Sequence, residues 1–266
     1  MAQKTLLLLG AGPNVGASTL SLFKSEGYKI AAVARTVRPN VKAHADLCLT
    51  ADFSDPGMIG AIFEKVEQEL GVPNVVIYNP YSNAAYSWTR GPNLANPVSA
   101  LLKDFQKDLT INTVSAYAAA QAAVASFSKL PHDAKKTFIY TGNNDNTLIT
   151  PEFLMLGIGK SSAWYMIQTL VATPSFVSKG YRFYYVDERT PEGKAMFHIS
   201  GPGHAKYFLE LAEKDGQGVP LATFVRGKGY VKFPSNDRAV LPQLAIEDTV
   251  DPSYRAPGTT EGKFGH

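Results

Sequence analysis

A lysine, Lys160, stands in the stretch FLMLGIGKSSA (153–163), between small residues and in a segment otherwise poor in charge. A lysine that merely runs its stem along a surface keeps its head in water; one set among glycine and serine suits contact with a bound ligand. A second stretch, GAGPNVGAS, places Gly10, Gly12 and Gly16 after the first apolar run and before a helical pattern. Glycines there let the chain turn sharply and approach a pyrophosphate, while free amides at the helix N-terminus stabilise the anion. An ordinary glycine-rich strand-to-helix turn has a similar composition, but the position of this one favours phosphate binding.

The elements that must carry these residues follow from apolar runs alternating with amphipathic or alanine-rich stretches. Strands are predicted at Lys4–Leu9, Lys29–Ala34, Ala45–Thr50, Val75–Tyr78, Thr137–Thr141, Tyr181–Val186 and Thr223–Val231. Helices are predicted at Val15–Ser25, Met58–Leu70, Leu101–Ser128, Glu152–Val171 and His204–Lys214. Continuous apolar strands separated by helices imply an α/β, Rossmann-like, doubly wound parallel sheet of about seven strands with helices on both faces. One domain over residues 1–232 is expected. Residues 233–266 carry four prolines and little periodicity, and should form a tail packed on the domain or on a partner subunit.

At the end of the second predicted strand the chain reads AAVARTVRP: Arg35, Thr36 and Arg38, without an acid. An acid there would accept from a ribose 2′-hydroxyl, whereas arginine pairs with a 2′-phosphate through charge-assisted bonds. The expected cofactor is therefore NADP(H). The 266 residues need no disulfide or metal, and the single cysteine, Cys48, cannot form an internal bridge. A net charge of +3 without a basic cluster gives no support to a nucleic-acid partner. The apolar start TLLLLG is too short to span a membrane. A cytosolic protein without a signal peptide is the plain expectation, and no metal-ligand spacing is present.

With these pieces placed, residues 4–232 resemble the short-chain dehydrogenase/reductase family. Its T-G-x-x-x-G-x-G turn matches at Gly10 and Gly16, with Asn14 in the middle glycine's place and Val15 between. Its acid after the third strand matches Asp52, followed by Phe53; its N-N-A-G keeps only Asn79; its long-helix asparagine matches Asn112. The glycine turn, the arginine after the second strand and the resemblance together assign Gly10, Gly12, Asn14, Val15, Gly16, Arg35, Asp52, Phe53, Asn79 and Lys160 to the cofactor.

In that family a tyrosine gives its proton to the substrate oxygen as hydride arrives. A lysine four residues later lowers the tyrosine's pKa and holds the ribose, and an earlier serine orients the carbonyl. Here Lys160 matches the lysine, Leu156 stands at the tyrosine position and Asn143 near the serine position; no tyrosine in the chain has a lysine four residues on. Lys160, Asn143 and Asn112 are the expected catalytic groups, with Asn143 donating to a carbonyl and a water on Lys160 or Asn112 carrying the proton. Tyr81, Tyr86 and Tyr165 are weaker substitutes.

On the substrate side the chain reads VDERTPEGKAMFHISGPGHAKYF. Asp187, Glu188 and Arg189 make a charged cluster that is either a ligand-binding strand edge or a solvated loop. Thr190-Pro191 or Gly201-Pro202-Gly203 replaces the family's P-G pair, Met196 and Phe197 suggest an apolar lid, and residues 188–203 are the expected substrate loop. His198 and His204 have no nameable partner. The alanine-rich SAYAAAQAAVASF and SSAWYMIQTLV suit packing in a homodimer or homotetramer, as in the family, or burial within a monomer.

The resemblance implies an NADPH-dependent reductase of a small or medium organic carbonyl, imine or enone with non-standard proton delivery. The alternatives are a non-redox cyclase, isomerase or dehydratase on the same fold, and a non-catalytic NADP-binding sensor.

Overall fold

The computed structural model describes residues 3–84 and 96–234. Eight strands form one sheet: β1 (Thr5–Leu9), β2 (Lys29–Ala34), β3 (Leu47–Thr50), β4 (Val75–Tyr78), β5 (Lys136–Thr141), β6 (Tyr181–Arg189), β7 (Leu221–Val225) and β8 (Gly229–Tyr230). Their order is β3-β2-β1-β4-β5-β6-β7-β8, so the strand order reverses between β1 and β4. The first seven strands pair in parallel and β8 returns antiparallel. The helices are α1 (Val15–Ser25), α2 (Pro39–Lys42), α3 (Met58–Leu70), α4 (Leu102–Leu109), α5 (Ser115–Phe127), α6 (Leu154–Ala172), α7 (Pro174–Val177) and α8 (Gly201–Glu213).

The inner strands are buried on both faces, which is why they read as unbroken apolar runs. Alternation within them splits the core in two. Leu7, Leu9, Val76, Tyr78, Phe138, Tyr140, Phe183 and Tyr185 pack with residues of α3, α5 and α6 on one side. Leu6, Leu8, Val75, Ile77, Ile139, Tyr184 and Val186 pack with residues of α1 and α8 on the other.

Three expectations change. The last predicted strand, Thr223–Val231, is a hairpin: the chain turns at Gly227 and Gly229, whose φ of 77° and 74° favour glycine. The predicted helix Leu101–Ser128 is interrupted by a π-helical turn at Thr110–Val114, between α4 and α5. Strand six runs on to Arg189, so Asp187, Glu188 and Arg189 lie buried in the sheet rather than in a solvated loop.

Candidate active site

The glycine turn leaves β1 at its carboxyl end, beside the point where the strand order reverses, the place where open α/β sheets bind ligands. Gly10 has φ +82°, and a Cβ on it would lie 2.6 Å from the nitrogen of Pro80. A Cβ on Gly16 would come within 2.7 Å of the Ala11 carbonyl carbon, so α1 starts close against the turn. The first-turn amides of a helix have no acceptor within it and are available to an anion.

Three asparagine amides tie the turn to its surroundings. Asn79 Nδ2 donates to the Gly10 carbonyl at 2.8 Å, Asn40 Nδ2 to that of Pro13 at 3.2 Å, and Asn14 Nδ2 to that of Ile199 at 3.0 Å. Val15 is buried at the start of α1. Arg35, Thr36 and Arg38 are exposed after β2. Asp52 is exposed after β3 and accepts from the Ser54 amide at 2.9 Å; this bond holds its carboxyl below the usual range, helped by Arg35. Phe53 is buried edge-on to Tyr78, and its carbonyl accepts from Ser115 Oγ at 2.6 Å.

The carboxyl ends of β4, β5 and β6 are built from aromatic rings in register. Tyr78, Tyr140 and Tyr185 are paired neighbours across the sheet, and their rings stack at 5.9 and 5.5 Å. Their hydroxyls donate to the carbonyls of Ile111 (2.6 Å), Asn112 (2.9 Å) and Asn143 (2.8 Å). The two outer rings of this stack, on Tyr78 and Tyr185, are fully buried with hydroxyl pKa values far above normal, chiefly by desolvation.

Lys160, on α6, is only 4 % exposed. Its Nζ donates to the Thr141 carbonyl at 2.9 Å and sits 4.7 Å from the centre of the Tyr140 ring. Burial pulls its pKa down to about 8, against a raising effect from Asp145. Leu156, one helical turn earlier, is buried at 6 % exposure.

Asn112 lies within the π turn, completely buried. Its side chain exchanges two hydrogen bonds with the backbone of Ser82, at 2.9 and 2.7 Å. One turn earlier, Asp108 accepts the Ala84 amide with both carboxylate oxygens at 2.9 Å. This helix therefore clasps the segment after β4. Asn143 follows β5 with its amide directed to Asp145, donating to Oδ2 at 2.7 Å while its own Oδ1 accepts the Asp145 amide.

Asp145 and Tyr185 are the site residues that the sequence analysis did not single out. Asp145 is 6 % exposed, bonded also by Thr150 Oγ1 at 3.2 Å, and packed against α6 beside Gly157 and Ser161. Desolvation raises its carboxyl to about 6, with Lys160 opposing. Tyr185 rests on Gly142, where any side chain would overlap its ring. The signal for Tyr185 was present in the alternation of Tyr181, Phe183 and Tyr185; Asp145 lay hidden in NNDN, which reads as an ordinary polar turn.

The charged end of β6 divides by face. Asp187 accepts from Arg189 Nε at 2.7 Å and Thr223 Oγ1 at 3.2 Å. Glu188 points to the other side, accepting the Ser200 amide at 2.7 Å and Arg226 Nε at 3.1 Å. His204 is buried against Phe208 and Phe224 with Nδ1 2.9 Å from the Ser200 carbonyl. Burial lowers the His204 ring to about 4 and raises Glu188 to about 7, the latter against the Ser200 amide and the Arg226 charge. Arg226 Nη2 also donates to the His198 carbonyl.

Among the substitute donors, Tyr165 is 73 % exposed on α6 and Tyr81 half exposed after β4; Tyr86 lies outside the described residues, as does the tail beyond Pro234.

No protein-family model matches the chain. Over 246 residues it is 39 % identical to the short-chain dehydrogenase/reductase dmxR12 of Cryptosporiopsis sp. (strain 8999), covering 89 % of this chain and 97 % of that one. The chain belongs to the short-chain dehydrogenase/reductase family. The fold agrees with solved members. A short-chain dehydrogenase/reductase from Mycobacterium marinum superposes with a TM-score of 0.65 at 16 % identity, covering 84 % of this chain and 94 % of the other. A metagenomic short-chain oxidoreductase in complex with NADP gives 0.62 at 16 % identity, covering 84 % and 96 %. As a member of this family the protein is an oxidoreductase by descent. No helix among the described residues is long and apolar enough to cross a membrane.

Proposed function

We propose that the protein is an NADPH-dependent reductase of a small or medium organic carbonyl, imine or enone, working without a tyrosine at position 156. The observation that carries this reading is Lys160: a buried ammonium anchored at the carboxyl end of β5, on the same sheet edge as the glycine turn. Burying an ammonium-sized charge with the Asp145 carboxyl as its counter-charge is costly, and a ligand with acceptor oxygens offsets that cost. When bound, NADPH supplies the hydride. The chain's own groups bind and orient it: the amides of Asn14, Val15 and Gly16 toward the pyrophosphate, Arg35 toward the 2′-phosphate, Asp52 and Phe53 around the adenine, Lys160 toward the nicotinamide ribose. A solved relative of the same fold binds NADP.

Leu156 brings no proton, so proton delivery falls to other groups. Asn112 and Asn143 use their side chains within the protein, which favours a water on the Lys160 ammonium as the donor for a carbonyl. An iminium acceptor needs no proton at all. The same observation gives a second reading some support, a non-redox enzyme or an NADP-binding sensor that keeps the nucleotide site alone. The expected substrate loop 188–203 narrows to residues 190–200 of the 1–232 domain, because Glu188 and Arg189 belong to β6 and Gly201–Gly203 open α8. The exposed Tyr117 and Tyr165 on α5 and α6 suit assembly as a homodimer or homotetramer in the cytosol.

The test is a titration of the protein with NADPH and NADH followed by nicotinamide fluorescence, then a screen of carbonyls, imines and enones for NADPH oxidation. Tight, NADPH-selective binding with turnover is expected. Binding without turnover on any acceptor class would favour the sensor, and binding of neither nucleotide would overturn both readings.

A further inference from the structure

Three side chains from three elements hold three consecutive residues at the end of the segment that follows β6. Arg226 Nη2 donates to the His198 carbonyl at 3.0 Å, Asn14 Nδ2 donates to the Ile199 carbonyl at 3.0 Å, and Glu188 Oε2 accepts the Ser200 amide at 2.7 Å. Arg226 and Glu188 sit at the sheet's far end; Asn14 belongs to the glycine turn. Asn14 is also the N-cap residue of α1, a position where asparagine is favoured because its side chain accepts from the helix's first amides. Here the side chain makes no such bond. Its amide Nδ2, a donor that takes no part in capping, bonds the Ile199 carbonyl.

Packing reinforces that contact. Gly201 opens α8 directly against the turn, and any Cβ there would overlap Asn14 Oδ1 and Ser18 Oγ. Ser200 caps α8, its Oγ accepting the Gly203 amide at 2.9 Å. The start of the segment is bonded to itself and to the end of β6, through the Lys194 amide on Thr190 Oγ1 and the bridge between Arg189 and Ala195. Residues 190–199 thus leave β6 and return to the sheet edge at a point fixed by the glycine turn.

We propose that Asn14 is a positioning residue that couples dinucleotide binding to the segment 190–199, a proposal that rests on the cofactor reading above. Phosphates held by the amides of residues 14–16 fix the turn, and a fixed turn fixes the Ile199 carbonyl through Asn14 Nδ2. By linkage, a substrate that holds the segment closed tightens the cofactor by the same factor. A glycine at position 14 keeps the backbone amide and removes the side chain that makes the link.

Hydrogen exchange of the whole chain, with and without NADPH, tests this in wild type, Asn14→Gly and Asn14→Ser, with nicotinamide fluorescence reporting binding in parallel. Serine is a good N-cap residue too short to reach Ile199, so it serves if the glycine variant folds poorly. NADPH should slow exchange over 190–199 in wild type by roughly three- to tenfold, the range of one hydrogen bond, and at NADPH concentrations that the fluorescence shows to saturate each protein the slowing should vanish in both variants. A merely structural Asn14 would speed exchange equally with and without NADPH, leaving the ratio unchanged; that result overturns the proposal. So does wild type that binds NADPH with no slowing. Failure of wild type to bind NADPH at all overturns the cofactor reading, and this coupling with it.

Discussion

The carboxyl edge of the sheet has two differently built ends. At β1 the site is backbone: a left-handed glycine, a close helix start, and carbonyls held by asparagine amides. At β5 and β6 it is side chain: three stacked tyrosines, a buried lysine and a buried aspartate. Backbone geometry tolerates few residue types, so that end is narrowly specified. Side-chain packing tolerates any shape that fills its place, and Leu156 lies buried in α6 one turn before Lys160. Residue types are therefore less narrowly specified at the second end than at the first.

The largest effects should come from glycines at both ends. Gly142→Ala drives a Cβ into the ring of fully buried Tyr185 and should cost about 3 kcal/mol. Gly10→Ala meets both a positive φ and Pro80, and should cost about 2–3 kcal/mol. Urea unfolding measures both. A Gly142→Ala protein as stable as wild type would show that the tyrosine stack yields, and the contrast between the two ends would fail.

Charge sharpens the contrast next. Lys160 has its pKa lowered to about 8, so in the folded protein the ammonium is present below that pH and lost above it. NADPH affinity should then fall by up to roughly tenfold per pH unit above about 8. Because Asp145 raises the Lys160 value, Asp145→Asn should move this fall to lower pH. Stability takes the opposite course. The unfolded lysine keeps its proton up to its ordinary pKa, so over the window between about 8 and that value stability rises with pH. Asp145, raised to about 6, contributes stability at low pH that is lost as pH rises from the ordinary carboxylate range through about 6. Urea melts across pH 4–10 separate the two.

Arg35→Ala should weaken NADPH roughly tenfold and leave NADH unchanged, the loss of one charge-assisted pairing. Equal loss for both nucleotides would remove Arg35 from the 2′-phosphate. The smallest effect is Ser115→Ala, which orphans the carbonyl of Phe53 and should cost about 1 kcal/mol in thermal unfolding.

The backbone-built end was legible in the sequence for the same physical reason that it is constrained. Glycine spacing named the turn, and apolar runs placed α1, β2, α3 and β4 at the bounds the structure shows. At the side-chain end the sequence placed Lys160 in a helix but not the partners around it. TINTV is compatible with an ordinary helix, so the π turn around Asn112 left no local mark. The burial of Asp187, Glu188 and Arg189 depends on partners at Thr223, Ser200 and Arg226, far away in sequence. Position 14 carried its signal openly, an asparagine where the family resemblance expects glycine; its partner Ile199 could come only from the fold.

The most direct test of the account is Lys160→Met, titrated with NADPH at pH 7. Methionine fills a similar apolar volume and removes a buried charge, so folding should survive. An NADPH dissociation constant raised at least roughly tenfold, on a protein that still melts cooperatively, is the predicted result. Unchanged affinity would mean that Lys160 serves only to tie α6 to the Thr141 carbonyl, and the cofactor-facing role proposed for it would be wrong.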